Sequence, residues 1–258
     1  MSFFQIQNYN IYTASMQKSM QDKLFFINKI DMSSITDFVD FGCADGTLLK
    51  FLKDKLPDVH LVGYDNDRSM LTIAQQNNKD ATFLADFSEC LSKITPQTSI
   101  LNLSSVLHEV YSYSSISEVL QFWKQIFAAN FKYIVIRDFC YDNSISRETE
   151  KNDLQKVMKY GDIDQIKSFE NFHGSLSWNK NLVHFLLKYR YIENWDREVR
   201  ENYFPISLEA LLDIIKKSEY EIVYSNHYTL PFTKDIVKKD FGIDIKDHTH
   251  IQLILKHS

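Results

Sequence analysis

Glycine is scarce in this 258-residue chain: six occur, Gly42, Gly46, Gly63, Gly161, Gly174 and Gly242, about a third of the share in an average protein. That excludes a fibrous, glycine-periodic chain, and two of the six fall within five positions of each other. Cysteine is nearly as rare. Cys43, Cys90 and Cys140 are odd in number and far apart, which indicates neither a disulfide framework nor a zinc knuckle and suits a reducing compartment. Basic residues are not in excess: 29 Lys and Arg stand against 34 Asp and Glu, a net charge of −5, which disfavours gripping duplex nucleic acid through a basic face. No uncharged apolar run approaches the roughly 18 residues of a membrane span, and Met1 to Asn10 lack the basic-then-apolar design of a signal peptide. A cytoplasmic protein without membrane contact is expected. What is present, 44% hydrophobic and 24% charged residues, is the composition of a globular chain, long enough for one large domain or one domain with an insertion.

Along the chain, apolar residues switch repeatedly between two periods. Residues 11–30 carry Tyr12, Met16, Met20, Leu24 and Phe25 near helical spacing, and core packing is the plainer reading of that stripe. Strands are expected at 37–41, 60–64, 81–85, 99–103 and 132–136, with helices at 47–56, 67–78 and 115–130 between them. Parallel strands need a crossover about as long as a helix, so this alternation predicts an α/β fold with a doubly wound, mostly parallel sheet. After Asp138 the rhythm breaks for about sixty residues of helical pattern, then resumes with a helix at 207–218 and strands at 220–224 and 250–256, seven strands in all. The expected organisation is a helical segment at 1–30, a core at 31–138, a helical insertion or lid at 139–203, and the rest of the core sheet at 204–258.

The chemistry concentrates where the first strand turns into a helix, at Asp40-Phe41-Gly42-Cys43-Ala44-Asp45-Gly46. Open α/β sheets bind ligands at the carboxyl ends of their strands, and small residues there let a ligand approach the backbone. Helix-opening amides are expected to be available for a carboxylate. A nicotinamide-dinucleotide fingerprint needs its third glycine five residues after the first; position 47 is Thr, so that cofactor does not fit. Asp65 closes the second strand, where a carboxylate can accept both hydroxyls of a ribose, and Asp86 closes the third, where it is equally an ordinary helix cap.

Asp40 to Gly46, Asp65 and Asp86 together resemble the cofactor motifs of class I S-adenosylmethionine-dependent methyltransferases, over roughly residues 37–138 and the closing strands. The resemblance implies a Rossmann-like fold and S-adenosyl-L-methionine as cofactor. It places Gly42, Cys43 and Ala44 beside the methionine part, Asp65 with Asn66 at the ribose, Asp86 and Phe87 flanking the adenine, Met70 on the adenine face, and Ser104 near the amino-acid moiety. Ala44 departs from the commoner glycine. The implied function is methyl transfer to an oxygen or nitrogen of a small or mid-sized acceptor, a small molecule or peptide; a non-catalytic cofactor-binding subunit is the alternative.

His108, in Ser104-Ser105-Val106-Leu107-His108-Glu109, is the candidate general base, because imidazole titrates near neutrality; packing or capping a helix is the competing reading. Glu109 orients it only if the backbone turns suitably, since neighbours on a helix diverge. Arg137, beside Asp138 at the end of the fifth strand, is either an anion holder or half of a structural ion pair. The insertion's aromatic residues, among them Tyr160, Phe169, Trp178 and Trp195, suit a core or an acceptor pocket, and its mild basic excess over 180–200 reads as a solvated face. His248 and His250 share one side of a strand but lack a third ligand, so no metal is expected.

Overall fold

The computed structural model describes residues 20–258. Tyr12, Met16 and the first part of the helix expected at 11–30, residues 11–19, lie outside the described residues. Its described part is helical only through Lys23 and continues in turns, with the Leu24 amide on the Met20 carbonyl at 3.0 Å and the Ile30 amide on the Phe26 carbonyl at 3.1 Å. Those turns bury Phe26 completely, its ring stacked on Phe38 at 5.4 Å.

Contacts divide the chain into two compact units, the first running through Ser104 and including Phe131–Val135, the second comprising Ser105–Asn130 and Ile136–Ser258. In the first, β1 (Asp37–Phe41) leads through α1 (Thr47–Lys53), β2 (His60–Tyr64), α2 (Arg68–Asn77), β3 (Thr82–Leu84) and α3 (Phe87–Ser92) to β4 (Ser99–Ser104). β1 pairs in parallel with both β2 and β4, and β2 with β3. All six residues of β4 and the first four of β1 are buried, as central parallel strands must be when covered on both faces. Asp67 caps α2 by accepting the Ser69 amide at 2.8 Å, and Asp86 caps α3 through the Glu89 amide at 3.0 Å.

Gly63 is required by packing. A Cβ built there meets Phe83 Cδ1 at 2.6 Å and Cys43 Sγ at 2.7 Å, closer than side-chain atoms tolerate.

The second unit begins with α4 (Leu107–Tyr113) and α5 (Ile116–Ala128); the latter opens on a capping box in which Ser115 and Glu118 satisfy each other's amides. It takes in the end of β5 (Tyr133–Phe139), then α6 (Lys151–Tyr160), α7 (Ile163–His173), α8 (Asn179–Lys188), the short α9 (Trp195–Glu198) and α10 (Leu208–Ile215). β6 (Tyr220–Tyr228), α11 (Pro231–Phe241) and β7 (His250–His257) complete it, β6 and β7 pairing antiparallel. One apolar core joins Val157, Phe169 and Phe185 of α6 to α8 with Val237 and Phe241 of α11.

Among the described residues the sheet has seven strands in the order β3-β2-β1-β4-β5-β7-β6. This is the doubly wound, mostly parallel sheet the alternation predicts. No described helix is long and apolar enough to cross a membrane.

Candidate functional site

At the carboxyl end of β1 the chain enters a turn of unusual backbone: Gly42, Ala44 and Gly46 have φ of 77°, 44° and 72°. Glycine adopts such angles freely, whereas alanine there is strained by its Cβ. The end of β2 holds the turn in place. The Gly42 and Cys43 amides share the Tyr64 carbonyl at 2.8 and 2.9 Å, and the Ala44 amide donates to Asp65 Oδ2 at 2.8 Å. The Gly46 amide bonds the Cys43 carbonyl and the Thr47 amide bonds Asp45. The turn thus consumes these five amides itself, of which Thr47 alone belongs to the opening of α1.

Asp65 is half-buried, and its other oxygen accepts the Asp67 amide at 2.9 Å. Each carboxylate oxygen has two lone pairs, so one on each remains for a hydroxyl. Ala44, Asn66, Met70 and Asp86 are exposed. Phe87 is buried against Phe41 and Tyr64 at ring distances of 5.1 and 5.5 Å, an aromatic cluster gathered from the ends of β1 and β2 and the start of α3. Phe41 and Tyr64 were not singled out from the sequence, although both are the terminal residues of their strands. Cys43 turns its thiol inward toward Gly63, and burial pushes that thiol well above its ordinary range.

Asp40 is buried and accepts a hydrogen bond from Asn102 Nδ2 at 2.8 Å; desolvation is the main reason its pKa rises to about 6. Ser104, at the end of β4, is buried too, and its hydroxyl has no hydrogen-bond partner. An open groove of about 420 Å³ runs along α2, β3 and α3, lined by Arg68, Leu71, Gln75 and Phe83 among others. Of the residues the resemblance assigns to the cofactor, it takes in Asp86 alone.

In the second unit, Asp138 of β5 receives three donors: the Leu107 amide, His108 Nδ1 and the Phe139 amide, each at 2.7 Å. Burial alone raises its pKa, but His108 and these hydrogen bonds outweigh burial, and the carboxyl is held below its ordinary value. For His108 burial acts downward and Asp138 overcomes it, leaving the imidazole above its ordinary value. Phe139 and Tyr203 meet the His108 ring edge-on at 5.2 and 5.5 Å. The residue that orients His108 is thus Asp138, not Glu109, which points instead to Arg197 at 3.3 Å.

Arg137 is buried and donates to Ser105 Oγ at 3.2 Å, while its carbonyl accepts the Ser105 amide at 2.8 Å. These bonds fix Ser105 at a φ of 58°, a second left-handed position, just ahead of α4. Glu201 was not foreseen. It is buried, with Oε2 4.0 Å from His108 Nε2, and it accepts from Arg197 Nε at 3.0 Å and the Tyr113 hydroxyl at 3.3 Å. His250 is buried with Nδ1 2.8 Å from Thr249 Oγ1, and His248 packs on His227.

No family model matches the chain. Among curated proteins it is similar to a malonyl-[acyl-carrier protein] O-methyltransferase of Acetivibrio thermocellus, 35% identical over 69 residues, a stretch covering 27% of this chain and 24% of that protein. Solved structures match over far more of the chain. The magnesium protoporphyrin IX methyltransferase of Synechocystis PCC 6803, with SAH bound, aligns over 100% of this chain and 90% of its own at 12% identity and a TM-score of 0.53. The methyltransferase domain of bacterial CtHen1 aligns over 93% and 99% at 10% identity, TM-score 0.51. The plantazolicin methyltransferase BamL, in complex with a triazolic desmethylPZN analog and SAH, aligns over 97% and 88% at 10% identity, TM-score 0.50. With its strand order and flanking helices, the chain has the Rossmann-like fold of the class I S-adenosylmethionine-dependent methyltransferases.

Proposed function

We propose that the protein binds S-adenosyl-L-methionine at the ends of β1, β2 and β4 and transfers its methyl group to an oxygen or nitrogen of a small or mid-sized acceptor. The observation that carries this reading is Asp65, whose carboxylate is fixed by two amides yet keeps a lone pair on each oxygen, at the strand end suited to a ribose. The residues present fit the cofactor. Ser104 supplies a buried hydroxyl that lacks a partner and is suited to the amino-acid moiety, and the exposed position of the turn at 42–46 carries only the methyl group of Ala44.

When bound, the cofactor supplies a methyl group on an electrophilic sulfonium. The protein's task is alignment of the acceptor and, for a hydroxyl or protonated amine, removal of one proton. His108 Nε2 is the acceptor for that proton. Asp138 holds Nδ1 so that Nε2 faces away from the carboxylate, and Arg137 fixes the Ser105 backbone that leads into α4. The similar proteins named above act on different groups, among them a malonyl group on acyl carrier protein and magnesium protoporphyrin IX, which leaves the acceptor of this chain to experiment.

Calorimetry with S-adenosylmethionine and S-adenosylhomocysteine tests the binding step. Binding of both is expected, weakened at least tenfold in Asp65→Asn, where a donor replaces one acceptor oxygen; no heat and no thermal shift at millimolar ligand would refute the reading. Transfer of a labelled methyl group into fractionated cell extract then tests catalysis, with His108→Ala as the variant expected to lose it. Full transfer by that variant removes the base assignment.

A further inference from the structure

His108 Nε2 lies among carboxylates on the side away from Asp138. With Nδ1 bonded to Asp138, Nε2 lies 4.0 Å from Glu201 Oε2 and makes no hydrogen bond of its own. His108 is 5% exposed and Glu201 3%, so water screens this encounter poorly. Glu109 completes the group: one ligand atom from each of His108, Glu109 and Glu201 lies within 4.8 Å of the other two.

From these positions we infer a divalent-cation site made of His108 Nε2, one oxygen of Glu109 and one oxygen of Glu201. First-row ions bind imidazole and carboxylate at about 2.0–2.2 Å, which puts ligand atoms about 3–4 Å apart, so shifts of about 1 Å close the group around an ion. One nitrogen with two carboxylate oxygens and remaining open positions suits Mn²⁺, Fe²⁺ or Zn²⁺ rather than Ca²⁺. The second shell is already built, because Asp138 accepts from Nδ1 and fixes the ring and tautomer as carboxylates behind metal-bound histidines do. Arg197 bridges the two carboxylates: its exposed guanidinium reaches Glu201 at 3.0 Å and Glu109 at 3.3 Å. An ion and Arg197 therefore compete for the same two carboxylates.

Ligation and proton acceptance use the same lone pair. With an ion bound, His108 would serve as a ligand and not as a proton acceptor, so the two roles exclude each other at this nitrogen. The site does not depend on the cofactor and is tested without it. The full chain, stripped by a chelator, is titrated with Mn²⁺ by electron paramagnetic resonance and with Zn²⁺ by calorimetry. One ion per chain is expected, bound at least tenfold more weakly by Glu201→Gln and as tightly or more tightly by Arg197→Gln. Circular dichroism establishes that each variant is folded, and pulsed resonance of Mn²⁺ in the unaltered protein adds a check that no substitution can confound: coupling to a directly bound imidazole nitrogen. No binding at millimolar ion, unchanged binding in Glu201→Gln, tenfold weaker binding in Arg197→Gln, or absence of nitrogen coupling overturns the inference. Each of these leaves the cofactor reading and the base assignment of His108 intact.

Discussion

Asp40 offers the sharpest test of how the buried end of β1 is organised. Its carboxyl is enclosed between β-strands and receives one side-chain hydrogen bond, from Asn102, which together with Lys23 offsets only part of the cost of burying a charge. Desolvation, reinforced by Asp65, moves its pKa from 3.8 to about 6. A raised pKa means that the folded state binds this proton more tightly than the unfolded chain does. The stabilisation is fully present below about pH 4, where both states are protonated, and is lost as pH rises to about 6. At about 1.4 kcal/mol per pH unit, the displacement amounts to about 3 kcal/mol above pH 6. Asp40→Asn keeps the acceptor oxygen for Asn102 and removes the charge. Urea denaturation from pH 3.5 to 8 is expected to show near-equal stabilities at the acid end and a gain for the variant that grows between pH 4 and 6, then levels at about 3 kcal/mol. In thermal melts the plateau corresponds to about 6–12 °C. A gain independent of pH, or no gain at pH 8, would show that the carboxylate is paid for by contacts other than those described.

Three further substitutions probe the same framework. Ala44→Gly removes the Cβ strain at a φ of 44° and is expected to stabilise by about 1 kcal/mol in denaturant titrations; destabilisation contradicts the turn geometry. Gly63→Ala drives a methyl group into Phe83 and Cys43 and is expected to cost about 1–3 kcal/mol, so a neutral result means that this packing yields more easily than the contacts indicate. Asp138→Asn retains one acceptor oxygen but turns an amide donor toward a backbone or imidazole donor, an expected loss of about 3 kcal/mol, read by the same titration at neutral pH. Unchanged stability there contradicts the three-donor arrangement.

What the sequence determined by itself is local. Alternating β-former runs and helical stripes located all seven strands and the doubly wound sheet, because burial on a strand or helix repeats with a period readable in a window of ten residues. The glycine pair at 42 and 46 and the aspartates closing β2 and β3 were legible for the same reason: each sits at a strand end, a position the periodicity itself defines. α11 escaped notice even though Pro231 at its first turn and Gly242 in the left-handed stop bracket it, since its apolar stripe is weak and its last turn is rich in lysine. Tertiary structure alone decided which side chains meet. Asp138 reaches His108 across 30 residues and Glu201 approaches it across 93, pairings carried by no periodicity because packing of whole elements sets them. The same holds for the amides of the glycine turn: only folding, by bringing the end of β2 alongside, settled that Tyr64 and Asp65 would occupy them.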